Sequence, residues 1–189
     1  MAEFKLAYAR TSLAEGDYSN LLEDRGGETW RGISRRAHPE WSGWAIIDAT
    51  RNDPQFPKNL AAIPELQTLV EELYEAEYWT PLTCDSLPQP LADRLFDVAV
   101  HMGLRRAAIF LQVGLNVLNR DGKLWRELTI DGQLGAASQI ALTKAMECAE
   151  SDRLAECVRF QAAARHIEIA LTNPTQRAFI RGWLARDAA

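Results

Sequence analysis

At 189 residues, 47% hydrophobic and 25% charged, the chain has material for one compact domain or two small ones sharing a core, which excludes the disordered and fibrous classes. Its 21 Lys plus Arg stand against 26 Asp plus Glu, a formal charge of -5, so bulk electrostatics favour neither nucleic acid nor an anionic membrane as partner. Cys84, Cys148 and Cys157 are an odd count without C-x-x-C spacing, and His38, His101 and His166 show no H-E-x-x-H pattern, so no disulfide framework, metal site or cofactor is expected.

Residues 1 to 16 contain no apolar run of signal-peptide length, and no stretch elsewhere reaches the roughly 18 apolar residues of a membrane span. The expectation is a protein made in the cytoplasm without a signal peptide and without stable membrane insertion. A short helix is predicted over 4–14, stopping near Gly16. From 15 to 34 the helical period fails. Gly16, Gly26, Gly27 and Gly32 demand turns, and 29–33 has the composition of a short strand. Pro39, Pro54 and Pro57, with Trp41 and Trp44 between them, predict short helices and loop over 36–58. Beyond Pro64, the three- and four-residue spacing of Leu66, Leu69, Val70, Leu73 and Tyr74 predicts an amphipathic helix to about Trp79, with Glu71, Glu72, Glu75 and Glu77 on its exposed face.

Pro88 and Pro90 mark a candidate boundary. Helices are predicted at 91–102, 104–118, 136–149 and 151–172, with a turn-rich segment over 119–135. Leu154, Val158, Ile167 and Leu171 are the expected core positions of the 151–172 helix. Asn173-Pro174 reads as an N-cap followed by proline at the first helical position of a last helix, which carries Phe179 and Trp183 on one face. Trp79 and Trp183 are expected in the core, Cys148 and Cys157 as packed thiols and Cys84 as a loop thiol. The fold class is mostly α, with a small loop or short β-hairpin near 18–34.

Chemistry concentrates in the segment that is not helical. Glu15 falls where a helix should end, and a carboxyl against an apolar helix terminus can have its pKa raised towards about 6, as a general acid near neutral pH requires. Asp24, nine residues on in a turn, stays ionised if solvated or hydrogen-bonded. Two carboxyls in contrasting environments suit glycosidic cleavage: one protonates the leaving oxygen, and the other stabilises the oxocarbenium-like transition state or positions water. Thr29 has the hydroxyl to hold that water. The same residue types also serve as plain turn and cap positions. A calcium loop is disfavoured, because the acidic and amide positions miss the D-x-[DN]-x-[DN]-G spacing. No G-x-S-x-G anchors a serine hydrolase, and a cysteine peptidase built on Cys84 needs a neighbouring histidine.

Glu15-Gly16-x-Tyr18-Ser19-Asn20, followed by Asp24-x-Gly26-Gly27-x-Thr29-x-x-Gly32-Ile33-Ser34, resembles the signature of glycoside hydrolase family 108, whose members resemble phage-type lysozymes and cleave peptidoglycan. Glu77-Tyr78-Trp79 with Pro81-Leu82 is similar to the aromatic segment closing that family's N-terminal half. LFDVAVHMGLRRAAIFLQVGLN, then DGQLGAAS at 131–138 and RAFIRGWLAR at 177–186, resemble the peptidoglycan-binding region that accompanies this hydrolase. The resemblance implies that Glu15 is the catalytic acid and that Asp24 and Thr29 are its partners. Two departures stand out: Asp17, where the family usually has glycine, and Leu21 to Glu23, where proline and polar residues are more usual. Asp17 puts another carboxylate two residues from Glu15.

Within the motif, Tyr18 and Trp30 are candidates for flooring a sugar cleft, since aromatic rings offer a large apolar face. Asn20 and Arg31 complete the expected substrate-binding set. Arg31, Arg35 and Arg36 form a basic cluster suited to the carboxylates of peptidoglycan stems, and Arg177, Arg181 and Arg186 form another on the last helix. The resulting expectation is a lysozyme-like helical fold, with a catalytic region over 1–85 and a helical peptidoglycan-binding-like region over 86–189, packed as one compact unit. It is expected to be a cofactor-free muramidase acting in the periplasm or cell wall after export or lysis. A holin, secretion machinery or an immunity protein are its expected partners besides peptidoglycan. A lytic transglycosylase and a non-catalytic wall-binding or secretion-associated protein are the alternatives.

Overall fold

The computed structural model describes residues 1–12, 17–20 and 27–188. Its contacts divide the chain into two compact units, Tyr8–Glu77 and Met1–Ala7 with Tyr78–Ala189. The described residues are mostly helical, with eight α-helices and one three-stranded antiparallel sheet. None of the helices is long and apolar enough to cross a membrane.

The Tyr8–Glu77 unit starts within α1 (Phe4–Ser12) and continues into β1 (Tyr18–Ser19), β2 (Thr29–Trp30) and β3 (Ile33–Ser34). Tyr18 pairs with Trp30 and Ser19 with Thr29; Trp30 pairs with Ile33 and Thr29 with Ser34. The short hairpin expected near 18–34 is present, and 29–33 forms its turn and flanking residues rather than a single strand. Arg31 (φ 44) and Gly32 (φ 80) form a two-residue turn with both central residues left-handed, the sign pattern of the hairpin turn whose twist matches its strands. Glycine reaches that region without a Cβ penalty. Both residues flanking the turn, Trp30 and Ile33, are buried.

Two helices complete this unit: α2 (Gly43–Thr50), which buries Trp44 and Ile47, and α3 (Pro64–Tyr74), which buries Leu66, Val70 and Tyr74 at four-residue intervals. Proline opens α3, where the missing N–H costs nothing. A π-helical turn, Glu75–Trp79, follows it. The indoles of Trp41 and Trp44 meet edge to face at 5.1 Å, donating to the carbonyls of Leu69 and His38 respectively. A Cβ on Gly43 would lie 2.2 Å from the Trp41 ring, so only glycine lets that indole lie across the start of α2. The Tyr74 hydroxyl donates to the Arg31 carbonyl at 2.8 Å, tying α3 to the hairpin turn.

The other unit is a helical bundle. α4 (Gln89–Met102), α5 (Leu104–Leu118) and α7 (Ser151–Thr172) pack on one another, joined by α6 (Ala136–Glu147) and α8 (Ile180–Ala188). Leu91, Leu95, Phe96, Leu111, Leu115, Leu154 and Val158 form its core. Phe4, Trp79 and Phe96 meet edge to face with centroids 5.6 to 5.8 Å apart. The turn-rich connection after α5 is pinned by two amides. Asn116 donates to the Leu128 carbonyl and accepts from its N–H, and buried Gln112 bonds Asp131, Gly132, Gln133 and Ser138.

Three expectations need correction. On α7, Leu154 and Val158 are buried, but Ile167 is 46% and Leu171 68% exposed. The inward line runs Leu154, Val158, Ala162, His166, Ala170, a four-residue spacing that ends in small or polar residues. His166 is acceptable inside because its Nδ1 lies 2.8 Å from Asp187 of α8 and its ring stacks on Trp183 at 4.9 Å. Cys148 is exposed rather than packed, because it caps α6 where the chain turns through left-handed Ala149. Asn173 does accept from the Thr175 N–H, but the segment it caps, Pro174–Ala178, is a 3₁₀ turn, and α8 starts only at Ile180.

Candidate functional site

Of the three residues expected to carry the chemistry, Glu15 and Asp24 lie outside the described residues, and Thr29 lies in β2. Thr29 is half-buried and donates its hydroxyl to the Gly27 carbonyl at 3.2 Å. Asp17 and Asn20, at either end of β1, are exposed. Asp17 accepts the Arg31 N–H through its carbonyl at 3.3 Å, which extends the β1–β2 ladder by one rung.

The aromatic candidates are placed differently from each other. Tyr18 is half-buried, its ring edge-on to Phe56 at 5.0 Å, and its hydroxyl donates to Glu28 at 2.8 Å. Burial raises the Tyr18 pKa, and the bond to Glu28 raises it further. Trp30 is only 1% exposed, its indole N–H finds no partner among the described residues, and the half-buried Arg31 guanidinium lies 5.3 Å from its ring centroid.

The arrangement that sequence reasoning missed surrounds Glu28, the residue between Gly27 and Thr29. Its side chain is 10% exposed. One oxygen takes the Tyr18 hydroxyl and Arg51 Nη2 at 2.5 Å, and the other faces Arg35 Nε at 2.7 Å. Asp48 on α2 closes the circuit, receiving Arg35 through two bonds of 2.7 and 3.1 Å and Arg51 Nε at 2.9 Å. Forked pairing of this kind fixes direction as well as distance. The bond from Arg35, with Arg51 adding to it, holds the Asp48 carboxyl below its usual range. Burial would lower the Arg51 pKa, but its bonds to Asp48, Glu28 and Tyr18 outweigh that and hold it above its ordinary value.

Arg35 is therefore committed to Glu28, Asp48 and the face of Trp44, 4.5 Å from its ring centroid, rather than offered to a substrate carboxylate. The partners are 7 to 23 residues from Glu28 in sequence, so no local motif announces them; the one signal was a glutamate set against the motif's threonine. His38 and Glu77 form a further pair in this unit at 3.2 Å. Among the described residues no three side chains are grouped to hold a metal ion. Cys84 is fully buried, and that burial, with Asp85 and Asp93 nearby, pushes its thiol pKa well up, the opposite of what a peptidase nucleophile needs.

The model of the glycosyl hydrolase 108 family matches residues 8–103, and that of a predicted peptidoglycan domain matches residues 102–188. The two matches meet at the α4–α5 turn, so α4 belongs to the hydrolase match while it packs with α5 and α7. Among solved structures, the chain is similar in fold to the structure of Brucella abortus SagA, at 22% identity and a TM-score of 0.61, over 98% of this chain and 89% of that one. No curated protein matches it.

Proposed function

The chain belongs to the glycosyl hydrolase 108 family, and from that premise we propose that it is an N-acetylmuramidase, cleaving the β-1,4 bond between N-acetylmuramic acid and N-acetylglucosamine. The observation that carries this reading is the pair of adjoining matches, a glycosyl hydrolase over 8–103 and a peptidoglycan domain over 102–188, which together support a peptidoglycan hydrolase. In the proposed reaction Glu15 protonates the leaving glycosidic oxygen, Asp24 stabilises the positive charge that develops at the anomeric carbon or orders the attacking water, and Thr29 positions that water. Tyr18, Asn20 and Arg31 are the proposed contacts to substrate, whereas Trp30, at 1% exposure, belongs to the core rather than to a cleft floor. We assign residues 1–85 to catalysis and 86–189 to wall binding.

The wall lies beyond the inner membrane, so a holin, a secretion machine or lysis would deliver the enzyme, and an immunity protein would accompany a secreted effector. The test is product analysis of purified peptidoglycan by reduction, chromatography and mass spectrometry. The reading predicts reducing muramic ends. Products ending in 1,6-anhydro-muramic acid, lighter by one water, would instead make the chain a lytic transglycosylase. Sedimentation with sacculi and no soluble muropeptides would make it a wall-binding protein.

A further inference from the structure

We infer that Glu28 is a positioning residue for this reaction: its buried carboxylate ties β1 to the start of β2, to Arg35 after β3 and to the end of α2, and so fixes the placement of Thr29. The inference rests on the muramidase reading and adds to it a residue outside the proposed catalytic set.

Tyr18 lies in the strand that enters the 20–27 segment, and Glu28 immediately precedes the strand that leaves it. The Tyr18–Glu28 bond therefore spans the segment's two ends, side chain to side chain, across ten residues. Arg35 follows β3 and Arg51 caps α2, so the carboxylate is also held from the far side of the hairpin and from a helix end. With Asp48, these groups form a ring of alternating charge, Glu28–Arg35–Asp48–Arg51, that returns to Glu28. The main chain repeats the constraint, since Arg35 N–H donates to the Glu28 carbonyl at 2.8 Å.

Stability alone is a poor explanation for this ring. Exposed pairs contribute little, and a buried carboxylate is costly to desolvate, so an apolar side chain could close the same space at no loss. What the ring adds is direction: each forked contact sets an angle as well as a distance. Both oxygens of Glu28 are already engaged, which suits an anchor rather than a group that exchanges a proton with substrate. The Thr29 hydroxyl is oriented by the Gly27 carbonyl, on the other side of Glu28, so a shift of Glu28 would move the hydroxyl and its acceptor together.

The test compares wild type, Glu28→Gln, Arg51→Lys and, as a control for loss of a carboxylate elsewhere, Glu156→Gln, which removes an exposed pair with Arg159 in the helical unit. Initial rates of reducing-end release are measured over a range of peptidoglycan concentrations, at a temperature where circular dichroism shows each variant folded. For Glu28→Gln we expect kcat to fall about 10- to 100-fold, with apparent KM and sedimentation with sacculi within about twofold of wild type. Arg51→Lys keeps the charge but cannot serve Glu28 and Asp48 as a fork, so it should lose less, and it carries the test if Glu28→Gln does not fold. Glu156→Gln should match wild type. Folded Glu28→Gln or Arg51→Lys with wild-type kcat, whatever its melting temperature, would overturn the inference and leave Glu28 a structural brace. A wild type that releases no muropeptides would overturn the muramidase reading, and this inference with it.

Discussion

In the helical unit the buried side chains of α4, α5 and α7 are chiefly Leu, Phe, Val and Ala, whereas in the Tyr8–Glu77 unit a carboxylate, two guanidiniums and a tyrosine hydroxyl gather beside a hairpin of two-residue strands. Apolar burial is non-directional and scales with area, whereas charged and hydrogen-bonded contacts fix direction as well as distance. A strand of two residues has too few ladder bonds to hold its own register, and here side-chain ion pairs supply what the backbone lacks. The contrast suggests a division of labour in which the bundle supplies most of the stability and the wired hairpin supplies geometry.

That contrast can be broken by substitution. Phe96→Ala removes a buried ring that touches Phe4 and Trp79 and should cost about 3 to 5 kcal/mol, read as a fall in the denaturant midpoint. Gly43→Ala should cost about 1 to 3 kcal/mol, because the added methyl displaces the Trp41 ring and breaks its bond to the Leu69 carbonyl.

Acid should weaken both units by the same route. The Asp48 carboxyl is held low chiefly by Arg35, and Asp131 chiefly by Gln112. In each case the folded pKa lies below the unfolded value of about 3.9, so between the two the unfolded chain binds more protons. Their contribution is complete above about pH 4 and is lost as pH falls through the folded pKa. Asp48→Asn should flatten that part of the acid limb in a pH series of denaturant melts. The smallest effect is expected on α7, where Leu171→Ala should change stability by no more than about 0.5 kcal/mol, against about 2 to 5 for Leu154→Ala on the same helix. Equal costs at the two positions would return Leu171 to the core.

Much of the bundle was legible in the sequence. Over 104–118 and 151–172 the expected and observed bounds coincide, since Gly103 and the Asn173-Pro174 pair interrupt long stretches of helix formers. Which face of α7 turns inward was less legible: its hydrophobic pattern favours Ile167 and Leu171, while the line that packs carries Ala162, His166 and Ala170. Over 15–34 the glycines and strand-like composition revealed a loop or short hairpin but not its register, because two-residue strands are too short to display a period of two. The Glu28 ring was hidden for a different reason. Tyr18, Glu28, Arg35, Asp48 and Arg51 each look like ordinary surface residues, and only the folded chain brings them within 3.3 Å of one another. The family motif, by contrast, was readable as a spaced set of residue types, and the match over 8–103 contains it.

The most direct test of the central claim is digestion of purified peptidoglycan by wild type and Glu15→Gln side by side, with sedimentation to confirm that both still bind sacculi. The account predicts reducing muramic ends from wild type and a loss of about 100-fold or more in Glu15→Gln, since the amide cannot donate the proton the leaving oxygen needs. Near wild-type release by a folded, wall-bound Glu15→Gln would contradict it.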